Sequence, residues 1–520
     1  MKTALRLFAT ALLIVGCGSS NQKTVNKAPA DPTVYGSTIT SAELKDMLYI
    51  YASDDFEGRE TGEPGQKKAV EYLKDQYVKM GIPSPLPGDD YFQDVPLEKQ
   101  KTPEVELSVN GSALENYTDF LVLGSADTQQ IDINEVVYVG YGIDTENYSD
   151  YRDQDVKGKT VIFKAGEPKD AQGNYITSGT TEETKWSSGR SSLSSKRNAA
   201  QDNGAKAAIF VNEDMIKQYG PYYQRMAASG TAGRISLKSN KPAMLFMMAN
   251  EKIATAIHPA LLESDAKKTI TSNITGEIIS QSEKVSSENV VAFLKGTEKP
   301  DEIVVISAHL DHEGIKEGKV YNGADDDGSG TVAILEIAQA FKAAADKGDG
   351  PKRSILFLHV TGEEKGLLGS RHYTDNDPIF PLENTVADLN IDMIGRTDPK
   401  REGDRNYVYL IGSDKLSTEL HNISEEMNNK YTNIVLDYTF NDENDPNRFY
   451  YRSDHYNFAK NNIPVIFYFN GTHDDYHKHT DTPDKIEYDL LENRTRLVFY
   501  TAWEVANRDA RIIADKAETK

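Results

Sequence analysis

The chain holds a single cysteine, Cys17, so no disulfide can form within it. It has no basic excess either. Lys and Arg number 58 against 81 Asp and Glu, which leaves a formal net charge of -23 and a pI of about 4.9. A surface that acidic repels phosphate backbones and argues against nucleic acid as a partner. No segment approaches 18 consecutive apolar residues, so no membrane-spanning helix is expected. Internal repeats and long low-complexity tracts are missing too, which excludes solenoid architectures. What the chain does have is length: 520 residues suffice for two domains and a large core.

The N-terminus reads "MKTALRLFATALLIVGCGSSNQKT", with Lys2 and Arg6 ahead of an apolar stretch from Leu7 to Val15. A basic n-region followed by a short h-region describes a secretion signal. Its ending, "IVGC", resembles a bacterial lipobox, which implies cleavage before Cys17 and lipidation of that residue. The expectation is a signal peptide over 1–17, a flexible tether over 18–40, and a body held to the lipid bilayer by an N-terminal lipid anchor. Such a protein would be an exported bacterial lipoprotein facing the periplasm or the cell exterior.

From 41 to 104, two helical patterns flank a glycine-rich turn. Ser41 is a plausible N-cap, and Ala69, Leu73, Tyr77 and Met80 fall at helical spacing. From about 105 to 285 the texture changes to short β-rich runs such as "EVVYVGYGI" and "GKTVIFKAG". Beyond 286, apolar runs of strand length ("EIVVISAHLD", "SILFLHVTGEE", "VADLNIDMIG", "IPVIFYFNG") are separated by helical stretches. Strands apolar on both faces that alternate with helices predict an α/β, three-layer domain over 286–515, its mostly parallel central sheet flanked by helices. The 105–285 segment reads as a β-rich domain inserted into, or preceding, that α/β unit.

The polar residues cluster where those strands end. The first run finishes in His309 and Asp311, the second in Glu363 and Glu364, the third carries Asp392, and the fourth leads into "THDDYHKHTD". Ligands of open α/β sheets bind at the carboxyl ends of strands, so this convergence points to a metal site. His309 and Asp311 lie two apart on an extended chain, which lets the carboxylate take the second imidazole N–H. Glu363 and Glu364 are adjacent and should diverge, so that one binds metal while the other faces a bound water. The run "YNGADDDGSG" sets three like charges side by side. A carboxylate bridging two dications would be wanted in such a turn rather than merely tolerated. His312 reads as a surface residue, His359 as a satisfied strand histidine, and Asp325 and Asp327 as turn-formers.

The motifs "SAHLDH", "NGADDDGSGTVAILE", "TGEEKGLLGS", "NIDMIG" and "YHKHTDTPDKI" together resemble the M28 family of co-catalytic di-zinc peptidases. "ASDDFEGRETGEPGQKKAVEYL" is similar to that family's N-terminal helical segment. The middle segment looks like a protease-associated (PA) insert. The resemblance implies a peptidase domain in two parts, 41–104 and 286–515, and a zinc-dependent aminopeptidase acting on peptide substrates. It implies two Zn2+ per chain, with Co2+ or Mn2+ as conceivable replacements. His309 and Asp392 would hold one zinc, Glu364 and His477 the other, and Asp326 would bridge them. Asp311 would orient His309, Glu363 would be the general base, and Tyr476 would lie in reach of the oxyanion. A cis peptide between Asp326 and Asp327 is implied as well. Of the histidines at 473, 477 and 479, the family pattern places the ligand four residues before Asp481, at His477. This ligand set balances charge: three carboxylates and two neutral imidazoles around two dications leave +1, which a hydroxide would cancel. Three alternatives stay open: a carboxypeptidase of the same family, a single-zinc acyltransferase like glutaminyl cyclase, and a non-catalytic receptor-like binding protein on the same fold.

Overall fold

A computed structural model describes residues 30–123, 127–229, 233–238 and 244–517. The expected signal peptide, Cys17 and the start of the tether lie outside the described residues. The far end of the expected tether is not a tether. Tyr35 and Ile39 are fully buried in the main core, and the Tyr35 ring stacks on Trp503 at 5.6 Å. An aromatic and an isoleucine four residues apart contribute enough apolar area to dock this otherwise polar stretch.

Nine described strands form one sheet: β1 (Phe92–Lys99), β2 (Ile235–Leu237), β3 (Glu283–Leu294), β4 (Lys299–His309), β5 (Arg353–Val360), β6 (Thr385–Ile391), β7 (Tyr407–Ile411), β8 (Val435–Asp437) and β9 (Val465–Phe469). Their spatial order is β8-β7-β9-β6-β4-β5-β3-β1-β2. The central strands β9, β6, β4 and β5 are mutually parallel, and antiparallel pairings appear toward both edges.

β5 and β6 are buried at every position, as parallel strands covered on both faces must be. Successive residues of β4 serve opposite cores. Val304, Ile306 and Ala308 enter a large core beside the helices, whereas Ile303 and Val305 meet Tyr373, Phe458 and Ile463. The long helices gather on the first face: α1 (Ser41–Tyr51), α2 (Pro64–Met80), α3 (Gly330–Asp346), α4 (Thr418–Met427) and α5 (Tyr488–Asn507). Short helical turns at Leu368–Arg371 and His455–Ala459 cover the other. α1 is capped one residue earlier than expected, Thr40 accepting the Glu43 amide at 3.3 Å. α2 begins with Pro64 and ends at Gly81, whose positive φ of 70° closes the helix.

A second sheet of eight described strands is built from residues 104–279, with helices Gly189–Asp202 and Glu213–Ser229 packed alongside. The chain leaves the nine-stranded sheet through β1 and returns through β3. These two strands pair antiparallel from Phe92 opposite Val290 to Lys99 opposite Glu283. The intervening segment also lends β2 back to the first sheet, Leu97 pairing with Leu237. Among the described residues no helix is long and apolar enough to cross a membrane.

Candidate metal centre

β4 lies between β5 and β6, so three neighbouring strand ends open onto one crevice. His309 ends β4, Glu363 and Glu364 follow β5, and Asp392 follows β6. The loop after β9 closes over them with Tyr476 and His477. The acidic run occupies the turn before α3, and its three side chains do different work.

Asp327 accepts the amides of His309 (3.2 Å), Gly330 (3.0 Å) and Met393 (3.1 Å), which ties three segments together. Asp325 accepts the Gly395 amide at 2.6 Å and faces His473 Nε2 at 3.1 Å. Asp481 in turn accepts the amides of Asp325 and Asp326 at 3.0 and 3.2 Å. Only the middle carboxylate is left for the crevice. Asp326 Oδ1 lies 3.1 Å from His309 Nε2, and its Oδ2 lies 3.1 Å from His477 Nε2. The peptide between Asp326 and Asp327 is cis.

Two donor groups share Asp326. His309, Asp326 and Asp392 converge on one side, and His312, Asp326 and Glu364 on the other; the donor atoms of each group lie within 4.8 Å of one another. His309 Nε2 is 3.7 Å from Asp392 Oδ1, and His477 Nε2 is 3.2 Å from Glu364 Oε2. His309 Nε2, Asp326 Oδ2 and Glu364 Oε1 are buried, yet none makes a hydrogen bond of proper geometry. Buried polar atoms are normally satisfied, so a cluster of unsatisfied imidazole and carboxylate donors fits a cation. The mixed nitrogen and oxygen donors suit zinc.

Two details differ from the sequence reading. His309 Nδ1 is satisfied at 3.0 Å by the main-chain carbonyl of Asp311, while the Asp311 carboxylate stands 3.9 Å away. That carboxylate instead accepts the Glu363 amide (3.1 Å) and the Thr61 hydroxyl (2.6 Å). The second difference is His312, which is fully buried rather than superficial. Its Nδ1 lies 2.9 Å from Glu364 Oε1, and neither ring nitrogen has a hydrogen-bond partner. Gly323 makes room for it: a Cβ there would meet the His312 ring at 2.5 Å. Thr61 was missed because nothing local in the sequence marks it, and Asp481 entered the sequence reading only as the acid that places His477.

His359 behaves as a strand histidine, its Nε2 2.7 Å from the Tyr77 hydroxyl. His479 sits outside the cluster, against the Tyr321 ring at 6.1 Å. Tyr476 stacks on His477 at 3.9 Å and lines the cavity that contains Asp326, Glu363 and Asp392.

Burial raises the Glu363 carboxyl well above the usual range, and the charges of Glu364 and Asp392 push it further, with His309 opposing. Burial also disfavours ionised Asp326, but contacts with His309 and His477 outweigh it and hold this carboxyl well below the ordinary value. The two neighbouring carboxyls are thus pushed in opposite directions, a separation that acid–base chemistry uses.

Together, a sheet with a parallel centre and a donor cluster at its strand ends define an α/β domain with a candidate metal centre. Residues 289–502 match the model of peptidase family M28. Aminopeptidase YwaD of Bacillus subtilis (strain 168) is 32% identical over 149 residues, covering 25% of this chain and 30% of the relative. A probable glutamate carboxypeptidase, LAMP1 of Arabidopsis thaliana, is 33% identical over 105 residues, covering 20% and 14% respectively. The chain thus spans less than a third of the length of either relative. An aminopeptidase from Aneurinibacillus sp. strain AM-1 superposes with a TM-score of 0.46 and 20% identity, over 94% of this chain and 99% of that one.

Proposed function

We propose that the protein is a zinc-dependent exopeptidase that removes N-terminal residues from peptides. The observation that carries this reading is the shared position of Asp326 between two donor groups, with Glu363 free beside them. His309, Asp326 and Asp392 would hold one zinc; Asp326, Glu364 and His477 would hold a second. Bound zinc supplies carbonyl polarisation and a water of lowered pKa. The chain's own residues do the remainder. Glu363 takes the proton of the attacking water and returns it to the departing amine, a task that suits a carboxyl raised well above its ordinary value. Asp311 holds the Glu363 backbone, and Tyr476 stands where the Oη of its ring can donate to a developing oxyanion. Met393, Phe467 and Phe469 give the cavity an apolar wall beside the acidic residues.

Two further parts of the reading rest on sequence. The 105–285 segment is proposed as a PA-like insert, with an eight-stranded sheet compatible with that assignment. The N-terminus is proposed as a lipobox that anchors an exported lipoprotein through Cys17.

The decisive experiment combines metal analysis with peptide hydrolysis. Two zincs per chain, loss of leucyl-p-nitroanilide cleavage on chelation and its return with zinc are expected. N-acetylated substrate should resist. One zinc, or activity indifferent to thorough metal removal, sinks the reading. Glu363→Gln should lower turnover by about two or more orders of magnitude while metal content is kept. Loss of a zinc in that variant would show that Glu363 and Glu364 have exchanged roles.

A further inference from the structure

The cavity beside the metal centre contains one cation. Its floor is acidic, with Asp326, Glu363 and Asp392, and its walls are largely apolar; Arg452 completes the rim. Arg452 follows the helical turn Phe449–Tyr451, and its amide is fixed by the Phe449 carbonyl at 3.0 Å. The guanidinium lies over the Phe449 ring, 4.9 Å from its centroid, and Nη2 stands 3.5 Å from the Tyr476 hydroxyl. Arg396 and Arg401, by contrast, are each neutralised, by Asp475 at 3.2 Å and Asp437 at 3.0 Å. Among the described residues Arg452 has no such carboxylate.

Three facts then need one explanation. A guanidinium is set on the rim of an acidic cavity without pairing to its acids. It is held from two sides, by an aromatic face and by a hydroxyl that itself belongs to the cavity. Apart from the contact of Nη2 with the Tyr476 hydroxyl, its donors face no carboxylate among the described residues. Stacking on a ring leaves the planar edge of a guanidinium available, and that edge matches a carboxylate with two parallel N–H···O bonds. Asp326 and Asp392 face His309 and the proposed metal, and none of the floor acids, Glu363 included, pairs with Arg452, so the charge Arg452 offers is available to a group that arrives.

We propose that Arg452 is a specificity residue that binds a carboxylate of the substrate next to the scissile bond. This deepens the peptidase reading above and rests on it. The carboxylate could come from an acidic side chain seated in the cavity, or from the main-chain terminus of a short peptide on the leaving side. Both present the same group to Arg452.

The test uses the metal-loaded full chain and two matched pairs: glutamyl- against glutaminyl-p-nitroanilide, and leucyl-glycine against leucyl-glycinamide. Within one pair, kcat/KM should favour the carboxylate-bearing member by about tenfold or more, and the pair that responds identifies the source. Arg452→Met should abolish that preference through KM, and Arg452→Lys should restore part of it. The same pairs are titrated by calorimetry into Glu363→Gln protein and into Glu363→Gln/Arg452→Met protein, a readout independent of turnover. Selective binding of the carboxylate members that vanishes with Arg452→Met supports the inference even if nothing is hydrolysed, in which case the peptidase reading alone falls. Hydrolysis with identical ratios in Arg452 and Arg452→Met proteins, for both pairs, overturns the inference and leaves the peptidase reading intact. A loss on all four substrates alike, with unchanged binding ratios, overturns it too.

Discussion

The Asp311 carboxylate receives the backbone amide of Glu363 at 3.1 Å, so the end of β4 holds the end of β5. The same residue's carbonyl takes His309 Nδ1 at 3.0 Å. One residue thereby sets the orientation of a proposed ligand with its main chain and the position of the proposed base with its side chain. Asp311→Ala should lose only the second of these. A drop of about 10–100-fold in kcat is expected, the range for outer-shell partners. Asp311→Asn, which keeps an acceptor oxygen for Glu363, should lose less. Equal losses in the two variants, or wild-type activity in Asp311→Ala, would contradict this division of labour.

Four histidines in or near the acidic cluster, His312, His473, His477 and His479, should separate by metal content. His477 meets both Asp326 and Glu364, so His477→Ala should cost one metal per chain and nearly all activity. His479→Ala should be mild, because that ring faces Tyr321. His473→Ala should act through stability, since it removes the partner of buried Asp325. His312→Ala leaves Glu364 Oε1 without its 2.9 Å neighbour, and zinc affinity should fall by about 10–100-fold. Elemental analysis after dialysis against a weak chelator checks all four.

Proton competition gives a prediction with a sign. In the metal-free protein, burial lowers His477 but contacts with Asp326 and Glu364 outweigh it and lift the imidazole to about 10. His309 is likewise held well above its ordinary value against the cost of burial. A protonated imidazole cannot bind metal, so zinc must displace these protons. Zinc affinity should therefore rise with pH across 6 to 8, by about tenfold per unit for each proton released. The proton-linked stability of the metal-free form runs the other way. It is fully present below the unfolded value near 6.5 and is lost as pH rises toward and through about 10. Zinc affinity that does not vary between pH 6 and 8 would refute this.

Away from the crevice, Glu336 of α3 is 2% exposed and its carboxyl is pushed up to about 8, by burial first and then by the charges of Glu43 and Glu492. Near pH 4.5 the group is largely protonated in the folded state and costs little. As pH climbs toward 8 the unfolded chain ionises while the folded chain holds its proton, so stability falls across that window. Glu336→Gln removes the penalty. Its melting temperature should exceed wild type at pH 8, by an amount equivalent to about 1–3 kcal/mol, and converge with wild type near pH 4.5. A destabilised variant at pH 8 would mean that the 3.4 Å contact with the Thr40 amide outweighs the burial cost.

The central strands were legible because burial on both faces writes an unbroken apolar run, and β4, β5, β6 and β9 each carry one. The residues at their ends were legible for the same reason: where a run stops marks where the crevice opens. Other features depend on distant partners. His312 follows Asp311 in a loop, and only the space left by Gly323 makes it interior. The choice between carbonyl and carboxylate at Asp311 turns on the Glu363 amide arriving from another strand. β2 is three residues borrowed by an edge, too short for any periodicity. Tyr35 and Ile39 looked like part of a tether because docking was decided by Trp503, far along the chain. Nothing in the sequence places Arg452 beside the crevice, because its position there depends on Phe449 and on Tyr476 from a distant loop.

The register of β1 against β3 has a consequence for how this chain came to be assembled. Lys99 faces Glu283 across the ladder, so everything between them departs from and returns to the same place. Joined directly by a two-residue Asn-Gly turn, the two strands would make an ordinary hairpin. The large segment is thus a graft on a hairpin tip, one that ancestry could add or discard without rethreading a strand of the sheet that bears the site. A shortened gene carrying that turn should yield a folded protein with an exposed scar along the edge of β1, where the cluster of Val95, Leu97 and Leu368 would lose the cover of Ile235 and Leu237.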